Sequence, residues 1–278
     1  MSGAAGRACR LLLRQTLRYD YPSPVGGLRH RLMVLPPARH GDQMLVSSSL
    51  EVRGAPAEVE KSVDRFGNVV VDIRAPEVQQ GVEFVVEVAV ERREGAGPVA
   101  GAQPFLDPTP LTEPDGALAA AAGRLAAGEP GLDLALRING WVASALRYRH
   151  DVTTVRTTAA ETVALGQGVC QDHAHVMLAL CRLCGLPARY VSGHLVGEGG
   201  SHAWVEVLLP SAEDPAVLTA VAFDPTNDRR AGRGYLTVAV GRDYADVAPT
   251  SGSYVGPPGG RLTASKSLEE EVAEVVPA

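Results

Sequence analysis

The chain has 278 residues, 45% of them hydrophobic, with 26 basic residues against 32 acidic ones and a formal net charge of −6. This is enough apolar material for two ordinary domains with real cores, and it excludes a disordered or low-complexity chain. The acidic balance argues against general binding to nucleic acid or anionic membrane, and no apolar run approaches the ~20 residues of a membrane span.

The opening, MSGAAGRACRLLLRQT, has no apolar stretch of signal-peptide length, so a cytoplasmic location is expected. From about residue 10 to 93 the segments LLLRQTLRYDY, LRHRLMVLP, MLVSSSLEV, NVVVDIRA and VEFVVEVAVE alternate or run apolar over strand lengths. DRFGN between them has the chemistry of a hairpin turn. An antiparallel β domain over 1–94 follows. Residues 95–115 then lose periodicity and gather Pro and Gly, as a linker or wrapping loop does. GALAAAAGRLAAG, LDLALRINGWVASALRY and TTAAETVALG have helical spacing, and the last carries a capping box, Thr158 with Glu161. A helix from Cys170 to Cys184 is closed by Gly185 and Pro187. RYVSGHLV, HAWVEVLL and LTAVAFD read as strands, giving an α+β core over 116–250. Residues 251–278 read as a tail, in which SLEEEVAEVV is either an exposed segment or a short amphipathic helix capped by Ser267 and Glu270.

The chemistry concentrates in three places: QGVCQDH (167 to 173), SHAWVEV (201 to 207) and AFDPTN (222 to 227). Cys170 falls where a Gly-rich turn enters a helix, and free N–H groups and the helix dipole there favour a thiolate. His202 opens a strand and can take the thiol proton, and Asp224 closes another and can orient the imidazole. His194 is the competing base. His30, His40 and His150 sit in polar or turn-like sequence and read as solvated, and His173 as packing near Cys170. Asp224 also suits a turn before proline, Asp172 the first turn of a helix, and Asp228 a surface loop. Cys9, Cys181 and Cys184 are too sparse for a disulfide framework. The CRLC of Cys181 and Cys184 lacks a second pair to complete a zinc site and reads as core. Gly166, Gly168 and the GEGG at 197 to 200 match no phosphate loop; the first two permit the turn before Cys170, and GEGG makes a loop bordering the cleft.

GVCQD, HAWVE and FDPTN, with LPARYVSGHL and VGRDYADVAP, resemble the bacterial transglutaminase-like proteins. LRYDYPSPV, LRHRLMVLPP and DRFGNVV are similar to the β-rich domain preceding the core in one branch of that family. The resemblance implies Cys170, His202 and Asp224 as a triad on a papain-like core, with the cysteine helix packed on an antiparallel sheet, and it implies neither cofactor nor metal. Two positions depart from the family pattern, His173 where Phe is common and LTAVA where a Trp is common, and both bear on the pocket.

The expected function is acyl transfer from a peptide or protein amide through a Cys170 thioester. The Cys170 N–H would hold the oxyanion, and Gln167, Gln171 and Tyr148 are candidates for a second donor. Passage to water makes a peptidase or amidase, which is favoured because water is always abundant. Passage to an amine makes a transglutaminase or amide synthase. A non-catalytic protein-binding scaffold, and a zinc hydrolase using Cys170, His194, His202 and Asp224, are the readings from other classes. Neither nucleic acid nor membrane is an expected partner.

Overall fold

The computed structural model describes residues 9–92, 98–99, 102–127 and 131–272. Strands β1 (Cys9–Asp20), β2 (Val25–Leu32), β3 (Gln43–Arg53), β4 (Glu58–Val63), β5 (Val69–Val78) and β6 (Gly81–Arg92) build the N-terminal half. The period-two patterning decides which faces are buried. Leu11, Leu13 and Leu17 of β1 and Val82, Phe84, Val86, Val88 and Val90 of β6 turn inward. Helices α1 (Gly116–Leu125), α2 (Leu132–Ala145), α3 (Ala159–Leu165) and α4 (Cys170–Leu183) come next. The chain then runs through β7 (Ala188–Leu195), β8 (His202–Pro210), β9 (Leu218–Asp224), β10 (Tyr235–Gly241), β11 (Thr250–Val255) and β12 (Arg261–Val272). Thr158 and Glu161 form the expected capping box on α3, each accepting from the other's backbone N–H.

The N-terminal half is two antiparallel sheets, ordered β12–β1–β6–β3 and β11–β2–β5–β4, packed face to face. His30 of β2 lies between them, its ring 4.5 Å from Tyr19 and 5.2 Å from Phe84. It is therefore buried, not solvated, and desolvation lowers its pKa to about 4. His40 is not free either: its Nε2 lies 2.8 Å from Glu206 Oε1.

As far as Val272 the expected C-terminal tail is a pair of strands, and residues 273–278 lie outside the described residues. β12 pairs with β1 along its whole length, from Cys9 opposite Val272 to Asp20 opposite Arg261, and β11 pairs with β2. Leu268 and Val272 have helical spacing, but β1 offers an open edge whose backbone groups need partners, and strand pairing satisfies both chains. The last described strand thus returns to the first, after the core has been built between them.

In the C-terminal half β10–β7–β8–β9 form an antiparallel sheet, extended beyond β9 by residues 229–230, with 98–99 also pairing to β9. α4 packs on β7 and β8. Alternation along β8 sends Ala203, Val205 and Val207 into the core shared with α4, and Trp204 to the opposite face with Val191, Tyr235 and Val240. The wrapping segment is tied to α4 by Arg182, 8% exposed, which donates to Phe105 O, Thr112 Oγ1, Ala188 O and Arg242 O.

β10 is an edge strand, and side chains of the N-terminal half satisfy its outer edge. Gln43 donates to Thr237 O at 2.8 Å and accepts from Thr237 N at 2.9 Å. Asn68 does the same at Val240, both distances 2.8 Å. Each amide stands in for a residue of a missing strand and excludes a foreign one. Asn68→Leu leaves a buried N–H and a buried carbonyl without partners, and the expected loss is about 2–4 kcal/mol of unfolding free energy. Urea denaturation checks this, and a loss below about 0.5 kcal/mol, the size of an ordinary surface substitution, would sink it.

Candidate active site

Cys170 is the first residue of α4, after an extended Val169. Asp172 fixes the entry, because its Oδ2 accepts from Val169 N and from Thr153 Oγ1, both at 2.7 Å. Gly168 makes room for that carboxylate, since a Cβ there would lie 2.6 Å from Asp172 Oδ2. The turn before Cys170 is braced from α2's exit: Arg147 N donates to Gly166 O and Arg149 N to Gly168 O. His173 donates from Nδ1 to Val169 O at 2.9 Å and is 1% exposed, so it packs the helix start. Asp172 is structural, as its position on the first turn predicts.

His202 and Asp224 meet at one end of the sheet. Val205 pairs with Phe223, which sets Trp204 opposite Asp224 and His202 one step further on the same face. His202 Nε2 lies 2.8 Å from Asp224 Oδ2. That carboxylate is fully buried and has further donors. Oδ2 accepts from Asn227 Nδ2 and Tyr235 OH, each at 2.7 Å, and Oδ1 from the N–H of Thr226 at 3.0 Å and of Asn227 at 3.2 Å. The two backbone bonds are the turn expected of Asp-Pro, so Asp224 is at once a turn residue and the partner of His202.

The Cys170 thiol lies close enough to the His202 ring to help raise the imidazole pKa. The structure therefore brings together the three residues singled out from sequence, and Trp204 and Tyr235 wall the imidazole, with ring centroids 6.1 and 6.0 Å from it. His194 is separate: it is 4% exposed, and burial pushes its pKa down to about 3. Among the described residues no group of three or more His, Cys, Asp or Glu is arranged to hold a metal ion. Cys181 is fully buried in the core, and Cys184 lies at its margin.

Two neighbours, Glu198 and Lys266, carried no sequence signal, whereas Tyr148 and Gln171 were already candidate oxyanion donors. Glu198 reaches from the 197–200 loop to within 3.1 Å of His202 Nδ1. Lys266 of β12 donates to Leu195 O at 3.3 Å and Gly200 O at 2.8 Å, bracketing that loop from the N-terminal half. Tyr148 is half exposed, and burial first, then the neighbouring Cys170 and Glu198, raise its pKa. Gln171 is 9% exposed and its Nε2 has no partner.

Burial alone would lower the His202 pKa, but the hydrogen bond with Asp224 and the adjacent Cys170 outweigh it and push it up to about 10. Burial likewise opposes the Asp224 carboxylate, yet the donors on it, His202 foremost, hold its pKa down at about 2. A histidine raised on folding stabilises the protein fully below its unfolded value of about 6.5, and that contribution disappears as pH rises to about 10. Asp224 acts in the opposite sense, its contribution fading as pH falls from the ordinary carboxylate range towards about 2. Unfolding free energy should therefore decline across the alkaline window, and Asp224→Asn should flatten the decline. Equal slopes for the two proteins in denaturant titrations over that window would contradict the coupling.

The chain is similar to known proteins over most of its length. Residues 119–215 match the transglutaminase-like superfamily, a span that contains Cys170 and His202 and stops short of Asp224. Residues 11–91 match the bacterial transglutaminase-like N-terminal region. An uncharacterised protein of Mycobacterium leprae is 30% identical over 271 residues, covering 89% of this chain and 94% of that one. One from Mycobacterium tuberculosis is 39% identical over 116 residues, 38% of this chain and 36% of that one. Among solved structures, a Cytophaga hutchinsonii protein described as a "Putative Cysteine Protease" aligns with TM-score 0.77 at 23% identity, over 98% of this chain and 93% of that one, and shares its fold. The chain belongs to the transglutaminase-like superfamily, in the branch with a bacterial β-rich N-terminal region.

Proposed function

We propose that this protein is a cysteine hydrolase that cleaves an amide of a peptide or protein, with Cys170 as nucleophile, His202 as base and acid, and Asp224 as the group that orients the imidazole. The observation that carries this reading is the convergence of the Cys170 thiol on the His202 ring, whose Nε2 lies 2.8 Å from the fully buried Asp224 carboxylate. A surface histidine would not need a carboxylate held by four other donors behind it.

The steps follow from that geometry. His202 takes the Cys170 proton, and the sulfur bonds to the amide carbon. The negative oxygen is received by N–H groups at the start of α4, which have no intrahelical acceptor. Of the candidates for a further donor, Gln171 is favoured, because its Nε2 is buried and unpartnered. His202 returns the proton to the leaving nitrogen, the carbon–nitrogen bond breaks, and a thioester remains. Water, deprotonated by His202, attacks the thioester, and the acid and the Cys170 thiol are released.

Mass spectrometry of the protein with a peptide library, with and without a primary amine, tests the reading. Cys170-dependent cleavage or deamidation that persists in the presence of amine is the expected result. Amine adducts as the main product would make the protein an amine-accepting transglutaminase. No Cys170-dependent product in either condition would favour the protein-binding scaffold.

A further inference from the structure

A cavity of about 560 Å³ lies between the two halves, on the side of the core sheet away from α4. Five arginines line it, Arg39, Arg65, Arg92, Arg189 and Arg230, against two carboxylates, Asp42 and Glu206. This is a concentration of positive charge in a chain whose net charge is −6.

The two carboxylates are already used. Both Asp42 oxygens receive Arg92, at 2.7 and 3.0 Å. Glu206 Oε2 receives Arg189 at 2.7 Å, and its Oε1 faces His40. Three guanidinium groups remain without a close carboxylate. Arg39 has only a 3.3 Å bond to Gly41 O. Arg65 stacks on Phe66, with Asp246 no nearer than 3.7 Å. The Arg230 guanidinium has no polar partner among the described residues, although its backbone pairs with Phe223.

We propose that this cavity is a binding site for a small polyanion, a molecule with two or more carboxylate or phosphate groups, gripped by Arg39, Arg65 and Arg230. The volume is in the range of small-molecule sites. Guanidinium forks match carboxylate and phosphate oxygens, and several like charges in a concave wall focus potential on an incoming anion. The paired Arg92 and Arg189 supply rigid walls that need no rearrangement on binding.

The site also abuts the proposed catalytic residues from behind. Trp204 and Tyr235 both line the cavity. Trp204 stacks beside the His202 ring, and the Tyr235 hydroxyl donates to Asp224. A ligand seated against these two side chains touches the groups that hold the imidazole and its carboxylate, so binding is expected to register in turnover as well as in heat.

Calorimetric titration of the Cys170→Ala protein with citrate, and separately with inorganic pyrophosphate, tests the site without relying on activity. The expected result is saturable binding of at least one anion at about 0.1 M salt, weakening as salt is raised. Binding of citrate alone identifies a carboxylate ligand, and of pyrophosphate alone a phosphate ligand. Adding Arg39→Glu and Arg230→Glu together should weaken binding by about tenfold or more while leaving the ligand-free melting temperature nearly unchanged, since both side chains are exposed. Absence of saturable heat with either anion would overturn the proposal, as would equal binding by the charge-reversed protein. Neither outcome bears on whether Cys170 is a nucleophile.

Discussion

Cys170→Ala is expected to lower turnover by about four orders of magnitude or more while leaving the fold intact. The alanine keeps the helix start, because Asp172, Gly168 and the strand contacts at 147–149 hold the turn without any help from the sulfur. The other three thiols supply the contrast. Cys9 is turned towards Glu270, and burial followed by that carboxylate pushes its pKa up to about 11. Desolvation also raises Cys184, and raises Cys181 further still. Thiols of that kind react slowly with iodoacetamide near neutral pH. Alkylation should therefore fall first on Cys170, and alanine at Cys9, Cys181 or Cys184 should keep activity. Full rates in Cys170→Ala on a substrate that wild type cleaves would end the triad reading.

The groups that carry chemistry were legible because each sits on a local signal. A cysteine after Gly-Gln-Gly-Val and before a helical run, a histidine at a strand start and an Asp-Pro after an apolar run can all be found within a few residues. What surrounds them was not legible, because it comes from contacts distant in sequence. Tyr235 reaches Asp224 from another strand, and Lys266 reaches the Glu198 loop from the far end of the chain. Asn68 was readable as a turn residue of DRFGN, and nothing local announced that its amide would seal Val240. The C-terminal segment failed for the same reason. SLEEEVAEVV has an acceptable helical pattern in isolation, and only the open edge of β1, some 250 residues earlier, makes its described part, up to Val272, a strand. His30 and His40 were misread because polar neighbours in sequence do not reveal a facing sheet or a facing Glu206.

His202→Ala should cost turnover on the scale of Cys170→Ala and slow alkylation of Cys170, whereas His194→Ala should keep most of the rate. The two histidines differ in what holds them. His202 is placed between the sulfur and Asp224, while His194 is buried against the backbone at Gly200. Asp224→Asn should fall between, losing about two to four orders of magnitude. The donors around residue 224 explain why an amide cannot replace the carboxylate. An NH2 group at the Oδ1 position would face the N–H of Thr226 and of Asn227, donor against donor. At the Oδ2 position it would face the Tyr235 hydroxyl and the Asn227 amide, which can both turn, and His202 Nε2, which would then have to accept. An imidazole accepting at Nε2 carries its proton on Nδ1, and so cannot take one from the thiol through that nitrogen. The ring stays in place, since Trp204 and Tyr235 still wall it, but in the wrong tautomer. Rates measured alongside circular dichroism separate this from unfolding. Inactivation by His194→Ala with His202→Ala still active would reassign the base, and wild-type rates in Asp224→Asn would remove the carboxylate from the mechanism.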